Sequence, residues 1–195
     1  MIRIFLVLLA LACPAYAQNF PALYDVDGVG DGDTLNVRRG PAFDAEAFDA
    51  LAADAKRIEV VEQNGKWFRI NRGEQSGWVA SRYMTPNQGE PAQIACGGTE
   101  PFWSLTKTAE GPYRLRILGD YNMAFTPLPT IRSANDTRVM TTLGKGNPGQ
   151  LQVIQRQQSC NDGMSDAKYG LAIDLILTRT EQSEQQLYSG CCALR

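Results

Sequence analysis

Between residues 94 and 195 the apolar side chains recur at every second position. Tyr113, Leu115 and Ile117 fall on one face of an extended segment, with Arg114 and Arg116 on the other. Tyr121, Met123 and Phe125 repeat the pattern, as do Leu171, Ile173, Leu175 and Leu177, set against Asp174 and Thr178. Gln150 to Gln155 is a further alternating run. A period of two is the signature of a strand with one face buried, because successive side chains point to opposite faces. Gly111-Pro112, Gly119-Asp120 and Asn147-Pro148-Gly149 mark turns between these runs. Several strands at this spacing predict a small antiparallel β-barrel or sandwich. Residues 126–137, with Pro127 and Pro129, read as a long connection or a short helix.

The preceding region carries the same kind of signal in shorter pieces. Ile58 and Val60 flank Glu59; Asn64-Gly65 is a hairpin turn leading into Lys66-Trp67-Phe68-Arg69-Ile70. Residues 71–74 read as a second turn, and Gly77-Trp78-Val79 opens another strand. The stretch from Phe43 to Ala55 is rich in Ala, Asp and Glu, a composition of high helix propensity. Residues 84–91 (Met-Thr-Pro-Asn-Gln-Gly-Glu-Pro) are polar and helix-breaking and read as a linker. The expected organisation is therefore all-β, with one domain over 22–85, a linker over 86–93 and a second domain over 94–195.

Residues 1–17 are expected to be removed. Arg3 supplies a positive start, Ile4 to Ala12 a short apolar run, and Ala15-Tyr16-Ala17 a cleavage site that leaves Gln18 as the mature start. That predicts a periplasmic or secreted protein. The alternative is lipid anchoring through Cys13, which follows Leu11-Ala12. No other segment approaches the length of a transmembrane helix. With 19 Lys and Arg against 21 Asp and Glu, the loss of Arg3 leaves a mildly acidic chain without a basic cluster. Such a chain is a poor nucleic-acid binder. Cys96, Cys160, Cys191 and Cys192 remain, an even number that reads as two disulfides in an oxidising compartment. Bonding the neighbours Cys191 and Cys192 would need a strained ring. On a strand they face opposite ways, so each takes a different partner, Cys96 or Cys160. The spacing lacks paired C-x-x-C knuckles and the chain has no histidine, which argues against zinc.

Two resemblances sharpen this. Tyr24-Asp25-Val26, then Thr34-Leu35-Asn36-Val37-Arg38-Arg39-Gly40-Pro41, then Gly65-Lys66-Trp67, then Gly77-Trp78-Val79 running into Arg82-Tyr83-Met84, resemble in order the bacterial SH3 (SH3b) module. The resemblance implies a small β-barrel filled by Val37, Trp67 and Trp78. It also implies a loop and a strand, not a helix, over Phe43 to Ala55. It further implies binding of cell-wall glycopeptide or short peptides, or a spacer role, and no catalysis. Gly98-Thr99-Glu100-Pro101-Phe102-Trp103-Ser104-Leu105, then Ser159-Cys160-Asn161-Asp162-Gly163-Met164-Ser165-Asp166 with Tyr169, then Gly190-Cys191, are similar to a group of bacterial envelope proteins with no assigned activity. That group often has proline after the tyrosine, where this chain has Gly170. The recurrence of Cys160 and Cys191 in it implies their pairing, and with it Cys96–Cys192; the crossed pairing stays open.

The absence of histidine excludes Ser-His-Asp and Cys-His catalysis. Carboxylate-pair hydrolysis is the enzyme class that survives, with Glu100, Asp162 and Asp166 as the acids inside the motifs and Glu100 the sole catalytic candidate. Their ordinary use is to satisfy backbone groups at turns. The run from Asp25 to Asp33 alternates acids with glycine but lacks the bidentate glutamate of a calcium loop, so it reads as a solvated turn. Tyr24, Trp78 and Tyr83 are the candidate binding residues, as a groove that stacks on sugar rings or clamps a peptide. Trp67, Phe102 and Trp103 are expected in cores. No metal or other cofactor is expected. The leading expectation is an exported, non-catalytic binding protein of the bacterial envelope, docking to peptidoglycan or to an exported protein or peptide. The alternatives are a carboxylate-dependent enzyme on envelope glycans and an inhibitor or small-ligand carrier using the second barrel.

Overall fold

The computed structural model describes residues 20–89, 93–107, 110–119, 122–135, 139–147, 149–180 and 185–195. The leader, the cleavage site before Gln18, and Cys13 lie outside the described residues, as does Tyr121. The chain is all-β and forms two sheets.

The first sheet holds β1 (Ala22–Val26), β2 (Thr34–Arg38), β3 (Ala47–Ala52), β4 (Ile58–Asn64), β5 (Trp67–Arg72), β6 (Gln75–Ala80) and β7 (Met84–Pro86), in the order β3-β2-β6-β5-β4-β1-β7. A 3₁₀ turn, Ser81–Tyr83, joins β6 to β7. Phe48 and Leu51 lie on β3, so strand pairing with β2 overrides the helix propensity of that stretch. Gly65 closes the β4–β5 hairpin at φ +56°, as an Asn-Gly turn requires. Part of the expected linker is strand: Thr85 and Pro86 pair with β1, and the Asn87 N–H donates to the Leu23 carbonyl. Proline is tolerated there because β7 is an edge strand. Tyr24, Val26, Leu35, Val37, Leu51, Val60, Phe68, Ile70, Val79 and Met84 fill the core, and Trp67, Trp78 and Ala80 form a smaller cluster beside it. Gly77 is required by this packing: a Cβ would come within 2.5 Å of Val37 and 2.7 Å of Phe48.

The second sheet contains β8 (Ile94–Thr99), β9 (Phe102–Lys107), β10 (Tyr113–Ile117), β11 (Met123–Pro127), β12 (Ile131–Arg132), β13 (Val139–Asn147), β14 (Gly149–Cys160), β15 (Tyr169–Arg179) and β16 (Gln185–Leu194). It is an up-and-down meander. Pairing of β16 with β8, and of β11 with β13, closes eight strands into a barrel with β12 as an appendage. The connection expected over 126–137 therefore carries a short strand at Ile131–Arg132. The inward faces are those read from the alternation: Tyr113, Leu115, Ile117, Met123, Phe125, Leu151, Val153 and the four apolar residues of β15 are all buried. The interior is packed with side chains, as small barrels of this strand number are. The expectation for Phe102 is corrected: Trp103 is buried but Phe102 is 51 % exposed, because adjacent residues of β9 face opposite ways.

Cys192 and Cys96 stand opposite each other on β16 and β8, inside the barrel, and are disulfide-bonded. Cys191 faces the other way and bonds Cys160, which an irregularity in the β14–β15 pairing between Gln157 and Cys160 repositions. The two barrels share a seam. The Asn71 side chain both donates to the Lys168 carbonyl (2.7 Å) and accepts from its N–H (3.0 Å). Gln157 donates to the Phe20 carbonyl, Arg57 to the Arg195 carbonyl, and the Leu194 N–H to Glu59. Gly170 packs on Pro21, where a Cβ would lie 2.5 Å from the ring, so the glycine that replaces the group's proline makes room for the first domain.

Candidate functional site

One side of the first barrel carries a cleft of about 260 Å³. Its wall on one side is the loop between β1 and β2, with Gly28, Gly30 and Asp33. Phe43 from the β2–β3 loop, Arg82 and Tyr83 from the 3₁₀ turn, and the buried Trp67 and Ala80 line the rest of it. The loop is pinned from below. The Asp27 N–H donates to the Tyr83 carbonyl, and the Asp33 N–H to that of Gly30. Asp25 accepts the Arg57 N–H (3.0 Å) and the Asn87 amide (2.8 Å), with Lys56 3.6 Å away. The hydrogen bond from Arg57, against some desolvation and with help from Asn87 and Lys56, holds the Asp25 carboxyl below its ordinary range. Asp25 is thus an anchor at the root of the loop. Among the described residues no three His, Cys, Asp or Glu side chains converge as a metal ion would need.

The cleft is aromatic and cationic. Phe43 is 60 % exposed and meets Trp67 edge to face at 4.9 Å. The Arg82 guanidinium lies 4.6 Å from the Tyr83 ring centre and 5.4 Å from that of Phe43, and donates to the Tyr83 hydroxyl at 3.0 Å. Cation–π contact on two rings holds an otherwise floppy side chain across the cleft mouth. Arg38 also lines the cleft and is tied to the Ala45 carbonyl at 2.7 Å. Aromatic faces with a fixed cation and a nearby carboxylate suit an extended polar chain: the rings stack on flat groups, and the charges read carboxylates and amides.

Of the three expected binding residues, only Tyr83 lines this cleft. Tyr24 is buried against Phe68 (4.9 Å) and Phe20 (6.4 Å), where desolvation raises its hydroxyl pKa. Trp78 is 8 % exposed and lies beneath the Arg69 guanidinium at 5.3 Å. Tyr24 faces the core, whereas Trp78 lies on the other side of β6 from Val79, in the small cluster with Trp67 and Ala80. Phe43 and Arg82, which complete the cleft, were not singled out from the sequence. An exposed aromatic three residues after Gly40 and a cation next to Tyr83 were the available signals. Trp67, expected in the core, is both packed and cleft-lining.

The carboxylates of the second barrel are dispersed in role. Glu100 sits exposed in the β8–β9 turn and Asp166 is exposed. Asp162 is half-buried and organises its own loop. It accepts from the N–H groups of Met164 (3.0 Å) and Ser165 (2.9 Å), the Ser165 hydroxyl (2.8 Å) and the Tyr169 hydroxyl (3.3 Å). Burial works against its charge, but these donors outweigh it and hold the pKa low. A low pKa suits a turn-capping carboxylate and not a general acid. The Gly98 to Leu105 run around Trp103 has a packing explanation. Gly98 stands opposite Trp103, and a Cβ on it would lie 2.2 Å from the indole nitrogen.

Residues 33–85 match the family model of the bacterial SH3 domain, a segment that holds the cleft apart from its Gly28–Gly30 edge. No curated protein and no solved structure matches the chain.

Proposed function

We propose that this chain is an exported, non-catalytic binding protein of the bacterial envelope, periplasmic or secreted after cleavage before Gln18. Its SH3 barrel grips an extended peptide in the cleft formed by Phe43, Trp67, Arg82 and Tyr83. The peptide belongs either to the cell wall or to an exported protein. The observation that carries the reading is the Arg82 guanidinium held over two aromatic rings at the mouth of the cleft. A bacterial SH3 domain is a wall- or protein-binding module, and two disulfides fit an oxidising compartment. The packed interior of the second barrel gives no support to a small-ligand carrier, and the loop donors that hold the Asp162 pKa low give none to a general acid of a glycan hydrolase.

Purified peptidoglycan, and peptides released from it, test the proposal directly. The mature chain is expected to co-sediment with intact wall, and Phe43→Ala or Arg82→Ala to weaken that about ten-fold, the scale of one interface anchor. Wall left unbound while the same chain captures an exported protein through the cleft would assign the peptide to that protein. Retention of full binding by both variants would remove the cleft from the account.

A further inference from the structure

The end of the second barrel away from the seam has a composition that neither its packing nor the cleft explains. The meander brings the β8–β9 turn, the end of β10 and the start of β16 to one rim. Three large apolar side chains project there: Phe102 is 51 %, Leu118 74 % and Leu187 67 % exposed. Phe102 and Leu118 are neighbours, since the Leu118 N–H donates to the Phe102 carbonyl at 2.8 Å. The outer wall running down from them is basic. Arg114 and Arg116 are exposed on β10, each opposite a hydroxyl of β9: Arg114 faces Thr106 and Arg116 faces Ser104. Lys145 is exposed on β13, opposite Thr126 of β11. None of these three cations forms an ion pair among the described residues. The shallow trough holding both arginines is lined by Ser104, Thr106, Asn122 and Ala124, with no carboxylate. Among the described residues Glu100 is the exposed acid at this rim, and Asp162, outside the trough, is engaged by its own loop.

The geometry points to this rim and wall as a docking surface for an anionic lipid bilayer: Phe102 and Leu118 enter the headgroup region while Arg114, Arg116 and Lys145 contact lipid phosphates. Charge complementarity selects the partner. The chain carries a net charge of −2, yet the wall holding Arg114, Arg116 and Lys145 presents three exposed cations and a trough without a carboxylate among the described residues. Convexity selects a fluid surface over a protein. The apolar groups stand on turns and strand ends, so they need no matching pocket to be buried by acyl chains, whereas protein-interface anchors fill preformed pockets. On one strand face, alternate residues repeat at about 7 Å, so each Arg–hydroxyl pair can take a separate headgroup. The first barrel sits at the opposite end, held by Glu59, Asn71 and Phe20, which would leave its cleft free for a ligand off the membrane.

The test is sedimentation of the chain from Gln18 onward, which leaves the apolar leader out of the comparison. The vesicles are phosphatidylcholine alone, or equal parts phosphatidylcholine and phosphatidylglycerol, at low salt. The chain is expected to pellet with the anionic vesicles and to stay in solution with the neutral ones. Arg114→Gln with Arg116→Gln should weaken binding about thirty-fold, following the attraction of juxtamembrane cations. Phe102→Ser with Leu118→Ser should weaken it about ten-fold through lost apolar burial. All four side chains point away from the core, so both variants should keep the near-ultraviolet circular dichroism of the parent. Phe43→Ala should bind vesicles at full strength, which separates failure here from failure of the cleft. A parent chain that ignores anionic vesicles overturns the proposal, as does full-strength binding by both double variants. A lipid-independent dimer in analytical ultracentrifugation that both double variants abolish also overturns it, and gives the surface to a second copy.

Discussion

The first barrel holds together without a covalent cross-link, divides its aromatic residues between core and cleft, and leaves Phe43 60 % exposed. The second closes eight strands on an interior of Leu, Ile, Val, Phe and Tyr side chains and is crossed by two disulfides. The difference lies in what each sheet does with its loops. In the first, the β1–β2 and β2–β3 loops and the 3₁₀ turn converge on one cleft. In the second, the Asp162 loop bonds to itself, and Cys160 ties its root to β16.

Removing the cross-links breaks this comparison most severely. Cys96→Ala with Cys192→Ala frees a loop of 96 residues and should cost the second barrel about 4–5 kcal/mol. Denaturant unfolding followed by fluorescence should then show it melting before the first barrel; coincident, unshifted transitions would contradict the division of labour. Next comes packing. Gly98→Ala forces a Cβ into the Trp103 indole and should cost about 1–3 kcal/mol, read in the same experiment.

Glu59 tests whether the seam couples the two. It is half-buried and accepts the Leu194 N–H at 2.8 Å; desolvation, only partly offset by that bond and by Arg195, raises its pKa from 4.5 to about 7. A carboxyl with a raised pKa binds its proton more tightly in the folded chain. Its contribution is therefore fully present below pH 4.5 and is lost as pH rises through about 7. Thermal melts should fall across that window for the parent and fall less for Glu59→Gln. The charged and titratable groups that face it are Arg195 and Tyr169. The smallest effect on stability belongs to Phe43→Ala, an exposed ring whose loss should change unfolding by about 0.5 kcal/mol or less while weakening the ligand.

The strands of the second barrel were legible because one face of each is buried, which writes a period of two into the sequence. Its closure was not, since the partners that close it, β8 with β16 and β11 with β13, are set by long-range pairing that no local pattern records. Phe43 to Ala55 shows the reverse: local propensity favours helix, and the order of the flanking motifs implied the strand that forms. At the cleft, aromatic identity was readable but orientation was not. Tyr24, Trp78 and Tyr83 look alike in sequence; strand phase turns Tyr24 into the core, packing beneath Arg69 covers Trp78, and the 3₁₀ turn carries Tyr83 to the cleft. Phe43 and Arg82 become functional candidates only once the β2–β3 loop and that turn are brought together.

The central claim is that the cleft beside Arg82 holds an extended peptide. Backbone nuclear magnetic resonance of the isotopically labelled mature chain, titrated with peptides released from peptidoglycan and with a panel of unstructured exported sequences, tests it most directly. The account predicts shifts that saturate and cluster at Gly28, Gly30, Phe43, Trp67, Arg82 and Tyr83, with β13 to β16 unmoved. Shifts confined to the second barrel, or none with any peptide, would contradict it.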